Sequence, residues 1–164
     1  IAWLVSGKNP LQFLRAVSQP MVTALFTSSS AATLPLSMQT AQEKLGVDQA
    51  RSAFVLPLGA TANMDGTALF EGIAAVFLAY MFGIDLGTTG VIAIFLVAML
   101  SSVGAPGIPS GSMAGMQMVL LAVGIPLEAI GLLLLIERPL DTFRTAVNVE
   151  GDLVGCLVAK RFAS

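Results

Sequence analysis

The chain has no histidine, one cysteine and little charge, with Asp, Glu, Lys and Arg making up 11% of its 164 residues. Without histidine there is no imidazole base and no His metal ligand. A lone Cys156 allows neither an internal disulfide nor a thiolate zinc site. Soluble domains are about a quarter charged, so so few ionic groups cannot cover a water-facing surface. The net charge of −2 gives nucleic acid no basic face to bind. No charged-then-apolar leader opens the chain, which starts at Ile1. It therefore reads as a portion of a longer membrane protein.

Hydrophobic residues make up 55% of the sequence, and the charges are confined to a few places. Lys and Arg are absent from 52–137 and occur near 8–15, 44–51 and 160–161. Basic loops face the cytoplasm, which places those three segments inside and the turns at Asp85 and Glu128 outside. Two uncharged blocks, 16–42 and 86–127, are each centred on a polar, helix-breaking knot. The first knot contains Ser28, Ser29, Ser30, Thr33 and Pro35; the second contains Ser101, Ser102, Gly104, Pro106, Gly107, Pro109 and Ser110. Crossing a bilayer takes roughly 20 apolar residues, and the arms beside each knot are shorter. Each block is thus expected to enter the membrane and return as a re-entrant helical hairpin. Segments 63–83 and 128–160 are expected as transmembrane helices. The order hairpin, helix, hairpin, helix repeats at nearly equal intervals, Ser29 to Asn63 and Pro106 to Asp141. Such repeats of interrupted segments mark the binding site of secondary transporters.

The last helix carries a polar stripe. At ~100° per residue, Glu137, Asp141, Arg144, Thr145, Asn148 and Asp152 fall within about 100° of its circumference, with Glu150 opposite. Charge at membrane depth is costly and faces a cavity or another charge. One reading is an ion-pair ladder of Arg144 with Glu137 or Asp141. Asn148 and Asp152 have no basic partner on the stripe, and a carboxylate beside an amide oxygen suits a small hard cation. Asn63-Met64-Asp65-Gly66-Thr67 offers the same pair of groups, and Gly59 and Gly66 allow that helix to unwind and present carbonyls. The two knots would also turn backbone N–H groups toward an anion. Glu71, an isolated carboxylate in an apolar helix, is either a proton carrier or a buried Glu bonded to a neighbour.

Ser28-Ser29-Ser30 with Thr33-Leu34-Pro35, the Asn63–Thr67 motif, segment 104–109, and Asp141-x-x-Arg144-Thr145-x-x-Asn148-x-x-x-Asp152 together resemble the glutamate/aspartate:cation symporter family. The likeness covers essentially the whole chain and implies an all-α membrane protein. Its parts would be two re-entrant helical hairpins and two transmembrane helices in an inverted repeat. Residues 1–9 would end a preceding helix, 10–47 form the first hairpin, and 48–84 form a helix interrupted at the motif. Residues 85–126 would form the second, gating hairpin, and 127–164 the last helix and cytoplasmic tail.

The resemblance further implies import of an acidic amino acid with sodium, protons or both, no cofactor, and no enzymatic activity. The full-length protein would be a multi-pass homotrimer in the plasma (inner) membrane, with N-terminal scaffold helices that this chain lacks. Arg144 and Thr67 would take the substrate's side-chain carboxylate, and Asp141 with Thr145 its amino group. Asn148 and the backbone at Ser29 and Ser30 would take its α-carboxylate. Ala105, Gly107 and Ile108 would close over it. Asp152, Asn148, Asn63 and Gly59 resemble one sodium site, and Asp65 with Asn63 a second. Carbonyls of Thr61, Ser102, Val103 and Ala105 resemble a third. Glu71 matches the proton carrier of proton-coupled members.

Three positions depart from the pattern: Glu137 stands where aspartate is frequent, Ala105 lacks a hydroxyl, and Ser28 replaces an arginine of some members, whose charge Arg138 would supply. Two rivals are a C4-dicarboxylate carrier of the same fold, whose substrate Asp141 would repel, and an intramembrane aspartyl protease using Asp65 and Asp152.

Overall fold

A computed structural model describes residues 2–7 and 9–162, so Lys8, in the first basic segment, lies outside the described residues. Eight α-helices and one 3-10 turn account for nearly all of it, and no strand occurs among the described residues. The order is α1 Ala2–Ser6, α2 Pro10–Thr27, α3 Ser30–Glu43, α4 Gln49–Ala62, α5 Asp65–Met81, α6 Gly87–Ser102, α7 Ser112–Ala122, the turn Leu127–Ala129, and α8 Ile130–Phe162. The described residues are all-helical, as the resemblance implied.

Local chemistry sets the breaks. Asn9 accepts the Leu11 N–H at 3.0 Å, and Pro10 takes the first helical position of α2, where its missing N–H costs nothing. Ser28 turns left-handed at φ 50° and ends α2, and Ser29, extended, caps α3 through the Ala32 N–H at 3.1 Å. Asp48 caps α4 through the Arg51 N–H at 2.9 Å. The Arg51 amide and guanidinium hold the Asp48 carboxyl below its usual range. A lowered carboxyl stabilises the fold above the unfolded value of ~3.9 and loses that effect as pH falls through the folded one. Between α4 and α5 only Asn63 and Met64 leave the helix. Pro20, Pro35, Pro57 and Pro139 lie inside helices that continue past them.

Two apolar cores form, one on each half of α8. The first joins Phe13 and Val17 of α2, Ala41 of α3, Leu56 of α4, and Val149, Leu153 and Cys156 of α8. The second joins Ala75 and Leu78 of α5, Ile94 and Ala98 of α6, Met116 and Leu120 of α7, and Leu133 of α8. The α8 stretch between them carries Glu137, Asp141, Arg144, Thr145 and Asn148, all buried. Several cations gather at one end: Lys160 Nζ donates to the Leu45 carbonyl at 3.0 Å, Arg161 to the Leu4 and Val5 carbonyls at 3.1 Å, and Lys44 to Gln19 Oε1 at 3.4 Å.

The outer face is apolar, with Phe26 87%, Tyr80 85% and Leu135 82% exposed. Counted through its break, Gln49–Met81 is long and apolar enough to cross a membrane. Helix α8, at 33 residues and roughly 50 Å, is long enough, but its buried charges keep it out of that class. Leu153→Ala should therefore cost roughly 2–5 kcal/mol and lower the unfolding midpoint of the full-length protein in detergent. Leu135→Ala should leave it within about 0.5 kcal/mol; equal shifts would contradict the first core.

Candidate functional site

The α8 stripe closes on itself through one cation. Arg144 Nη2 donates to Asp141 Oδ1 at 2.5 Å and to Glu137 Oε1 at 3.1 Å, with all three side chains buried. Its guanidinium carbon stands 4.3 Å from the centre of the Phe70 ring, a stacking that favours Arg where water is excluded. Arg144 Nη1 has no hydrogen-bond partner among the described residues. The other oxygens of the two acids turn to the second knot: Asp141 Oδ2 accepts the Ser110 N–H at 3.0 Å, and Glu137 Oε2 accepts its hydroxyl at 3.1 Å. The ion-pair reading of the stripe is therefore present, but it stops short of Asn148 and Asp152. Arg138 is exposed and pairs with nothing among the described residues. One residue round the helix from Glu137 turns it off the buried stripe, so it does not supply the missing tip charge.

Asn148 holds the break in the α4–α5 helix. Its Oδ1 accepts the Gly66 N–H at 2.7 Å, and its amide faces Met64 Sδ at 3.2 Å and Thr67 Oγ1 at 3.3 Å. A side chain of α8 thereby satisfies an N–H that the start of α5 leaves open. Gly66 permits the approach, since a Cβ there would lie 2.5 Å from the Arg144 carbonyl oxygen. One turn along, Asn63 Nδ2 donates to Asp152 Oδ1 at 3.1 Å, and a Cβ on Gly59 would lie 2.5 Å from that oxygen. Gly59, Asn63 and Asp152 are thus brought together. Asp65 and Asn63 both border Gly151 and an open groove of about 600 Å³ that Glu150 also lines. The Thr61 carbonyl accepts the Gly104 N–H at 2.7 Å and that of Ser102 the Ala105 N–H at 3.2 Å, while the Val103 side chain is exposed. Among the described residues no three Asp, Glu or Cys side chains converge as metal ligands. A cation held here would rest mainly on carbonyl and amide oxygens.

The two knots meet. The Gly107 carbonyl accepts from Ser29 Oγ at 2.8 Å and from the Ala31 N–H at 3.2 Å. Between them lies a small polar cleft of about 10 Å³ lined by Ser30, Thr67, Gly107, Ile108, Asp141, Thr145 and Asn148, together with Ser28, Met64, Pro106, Gly111 and Ser112. Ser29 and Ala105 are buried but do not line it, and Arg144 faces instead an apolar groove between α5 and α8. Glu71 is fully buried; its Oε2 accepts the Ser101 hydroxyl and its Oε1, packed on Gly115, has no partner among the described residues.

Residues here that were not read from the sequence as site residues include Met64, Phe70, Ser101, Ser110 and Glu137. Glu137 lay on the stripe and Ser110 in the second knot, so both carried a signal of place. Met64 lay inside the Asn63–Thr67 motif and Ser101 in the second knot, whereas Phe70 looked like an ordinary apolar helix residue.

Residues 1–162 match the model of the sodium:dicarboxylate symporter family. The chain is 47% identical over 155 residues to excitatory amino acid transporter 2 of Homo sapiens, covering 94% of this chain and 27% of that protein. It is 42% identical over 163 residues to an excitatory amino acid transporter of Caenorhabditis elegans, covering 99% and 32%. With excitatory amino acid transporter 3 of Mus musculus it shares 44% over 161 residues, covering 98% and 31%. It therefore spans less than a third of the length of these relatives.

Asn148→Ala should leave the buried Gly66 N–H unpaired, at about 1–3 kcal/mol. Thermal melting of the full-length protein without substrate checks this; an unchanged midpoint would show that the amide does not secure α5.

Proposed function

The chain belongs to the sodium:dicarboxylate symporter family, and from that premise we propose that it is the binding core of a secondary carrier importing glutamate or aspartate with sodium, protons or both. The observation that carries the proposal is a buried acid–base pair, Asp141 and Arg144, whose acid borders a small polar cleft where the two polar knots meet. The two side chains neutralise each other. An acidic amino acid offers both charges back: its ammonium group to Asp141 and its side-chain carboxylate to Arg144, whose unpartnered Nη1 it would satisfy. Thr67 and Thr145 border these two contacts, and Asn148 with the backbone at Ser29 and Ser30 is suited to the α-carboxylate. A dicarboxylate without an amino group would bring a second negative charge toward Asp141 with no compensation, which favours the amino acid. An intramembrane protease has no place in a symporter family.

In this reading α2–α3 and α6–α7 are re-entrant hairpins, related as an inverted repeat, and the second is the gate bearing Ala105, Gly107 and Ile108. Sodium would occupy Gly59, Asn63, Asn148 and Asp152; Asp65 with Asn63; and the carbonyls of Thr61, Ser102, Val103 and Ala105. Glu71 would carry the proton. The exposed apolar faces would contact lipid and the N-terminal scaffold helices of a plasma-membrane homotrimer.

Coupling is needed on charge grounds. An acidic amino acid carries net −1, and a negative-inside potential opposes its entry by about 2.3 kcal/mol per 100 mV. Two or more accompanying cations reverse the sign and add their own gradients.

In proteoliposomes of the full-length protein, Arg144→Cys should raise the half-saturating aspartate concentration at least roughly 30-fold, as loss of a buried charge partner worth about 2 kcal/mol or more requires. It should also admit neutral amino acids; retained aspartate uptake with no new substrate would contradict the role of Arg144. Glu71→Gln should abolish the response of uptake to an imposed proton gradient, and an unaltered response would remove its proton role.

A further inference from the structure

Glu71 is fully buried where α5 meets both α6 and α7. Its Oε2 accepts the hydroxyl of Ser101 on α6. Its Oε1 lies against Gly115 of α7, where any side chain would run into it, and has no partner among the described residues. Charged neighbours are few. Helices α6 and α7 carry no ionisable side chain. Asp65, at the start of α5, opens on grooves instead. From α8, the charge of Arg144 acts on Glu71 across space, while its hydrogen bonds go to Asp141 and Glu137. Ser101 is therefore the one hydrogen-bonding side chain on Glu71 among the described residues.

The same hydroxyl has a second neighbour, since Ser101 Oγ also lies 3.1 Å from the Ala98 carbonyl oxygen. A hydroxyl has one hydrogen to give, to one acceptor or the other, and its oxygen can accept as well. Two arrangements follow without moving a heavy atom. In one, Ser101 donates to the Glu71 carboxylate. In the other, Glu71 carries a proton and donates it to Ser101 Oγ, whose own hydrogen turns to the Ala98 carbonyl. We propose that Ser101 is a positioning residue of proton coupling, its hydroxyl rotating to serve Glu71 both with and without its proton. The proposal rests on the reading of Glu71 as the proton carrier. A buried carboxylate without a donor is costly, and a buried carboxylic acid needs an acceptor for its O–H; this single hydroxyl meets both needs. The proton enters from one aqueous side and leaves to the other, and no other bond forms or breaks. Of the two needs, the donor to a full charge is worth more, so losing the hydroxyl disfavours the carboxylate more than the acid.

In proteoliposomes of the full-length protein under a fixed sodium gradient, wild-type aspartate uptake should fall as external pH rises and Glu71 fails to load its proton. Ser101→Ala should move the pH of half-maximal uptake upward by about one unit, the scale of one hydrogen bond to a charged group. Ser101→Thr keeps the hydroxyl and should return the midpoint to the wild-type value. Ser101→Cys, close in shape with a weaker donor, should fall between, and it carries the comparison if Ser101→Ala does not fold. A packing role alone would lower the rate without moving the midpoint. An unmoved midpoint in Ser101→Ala and Ser101→Cys, or one moved equally by Ser101→Ala and Ser101→Thr, overturns the role of Ser101 and leaves Glu71 as the carrier. Wild-type uptake that is driven by sodium and ignores pH overturns the proton reading, and the role of Ser101 with it.

Discussion

A guanidinium enclosed between two carboxylates is the interaction around which the other elements are arranged. Burying Arg144, Asp141 and Glu137 removes three charges from water, and only close pairing and complete hydrogen bonding offset that cost. The geometry supplies both, with Arg144 shared by the two acids, their remaining oxygens on Ser110, and the flat face of the guanidinium on Phe70. The three ionic groups share α8, while Phe70 comes from α5 and Ser110 from the second knot. The charge cluster therefore ties α5 and the second knot to α8, and it stands between two apolar cores that could not merge across it.

The break at Asn63 and Met64 is the second constraint, and it follows from the first. With α8 carrying polar groups along its buried side, a continuous α4–α5 helix would present only satisfied backbone to them. Breaking it frees the Gly66 N–H for Asn148 and sets Asn63 against Asp152. The glycines are spaced for this purpose: Gly66 lies against the Arg144 carbonyl, Gly59 against Asp152, and Gly151 against Asp65. A side chain at Gly66 would meet the Arg144 backbone and force the helices apart, whereas at Gly59 and Gly151 it would displace the Asp152 and Asp65 carboxylates. Oxygen atoms thereby collect near the midpoint of the structure without a cluster of carboxylates.

The surface obeys a different rule from the interior. Leu, Phe, Ile and Val are prominent on the outside, while many Ser and Thr residues and Glu71, Glu137, Asp141, Arg144, Asn148 and Asp152 are buried. In water the hydrophobic effect drives apolar groups in; here, beside two buried apolar cores, large apolar side chains also cover the outside while polar groups gather at the site. That inversion suits hydrocarbon, and the Lys and Arg side chains bonded to carbonyls at one end suit its aqueous border.

The helical class, the two polar knots, the interrupted helix and the stripe from Glu137 to Asp152 could all be read along the chain. Each is a local pattern: a run of apolar residues, a cluster of Ser, Gly and Pro, or a repeat at helical spacing. The stripe in particular follows from 3.6 residues per turn, which fixes which side chains share a face before anything packs against them. What local pattern cannot encode is the partner across space. Arg144 faces Phe70 and a groove rather than the cleft, Ser110 sits on Asp141 and Glu137, Ser101 bonds Glu71, and Arg138 is turned outward beside a buried Glu137. The contacts of Arg144 with Phe70, Ser110 with the two acids and Ser101 with Glu71 join residues 27 or more positions apart, and side-chain direction on a helix does not name the neighbour it will meet, so only the tertiary structure decided them.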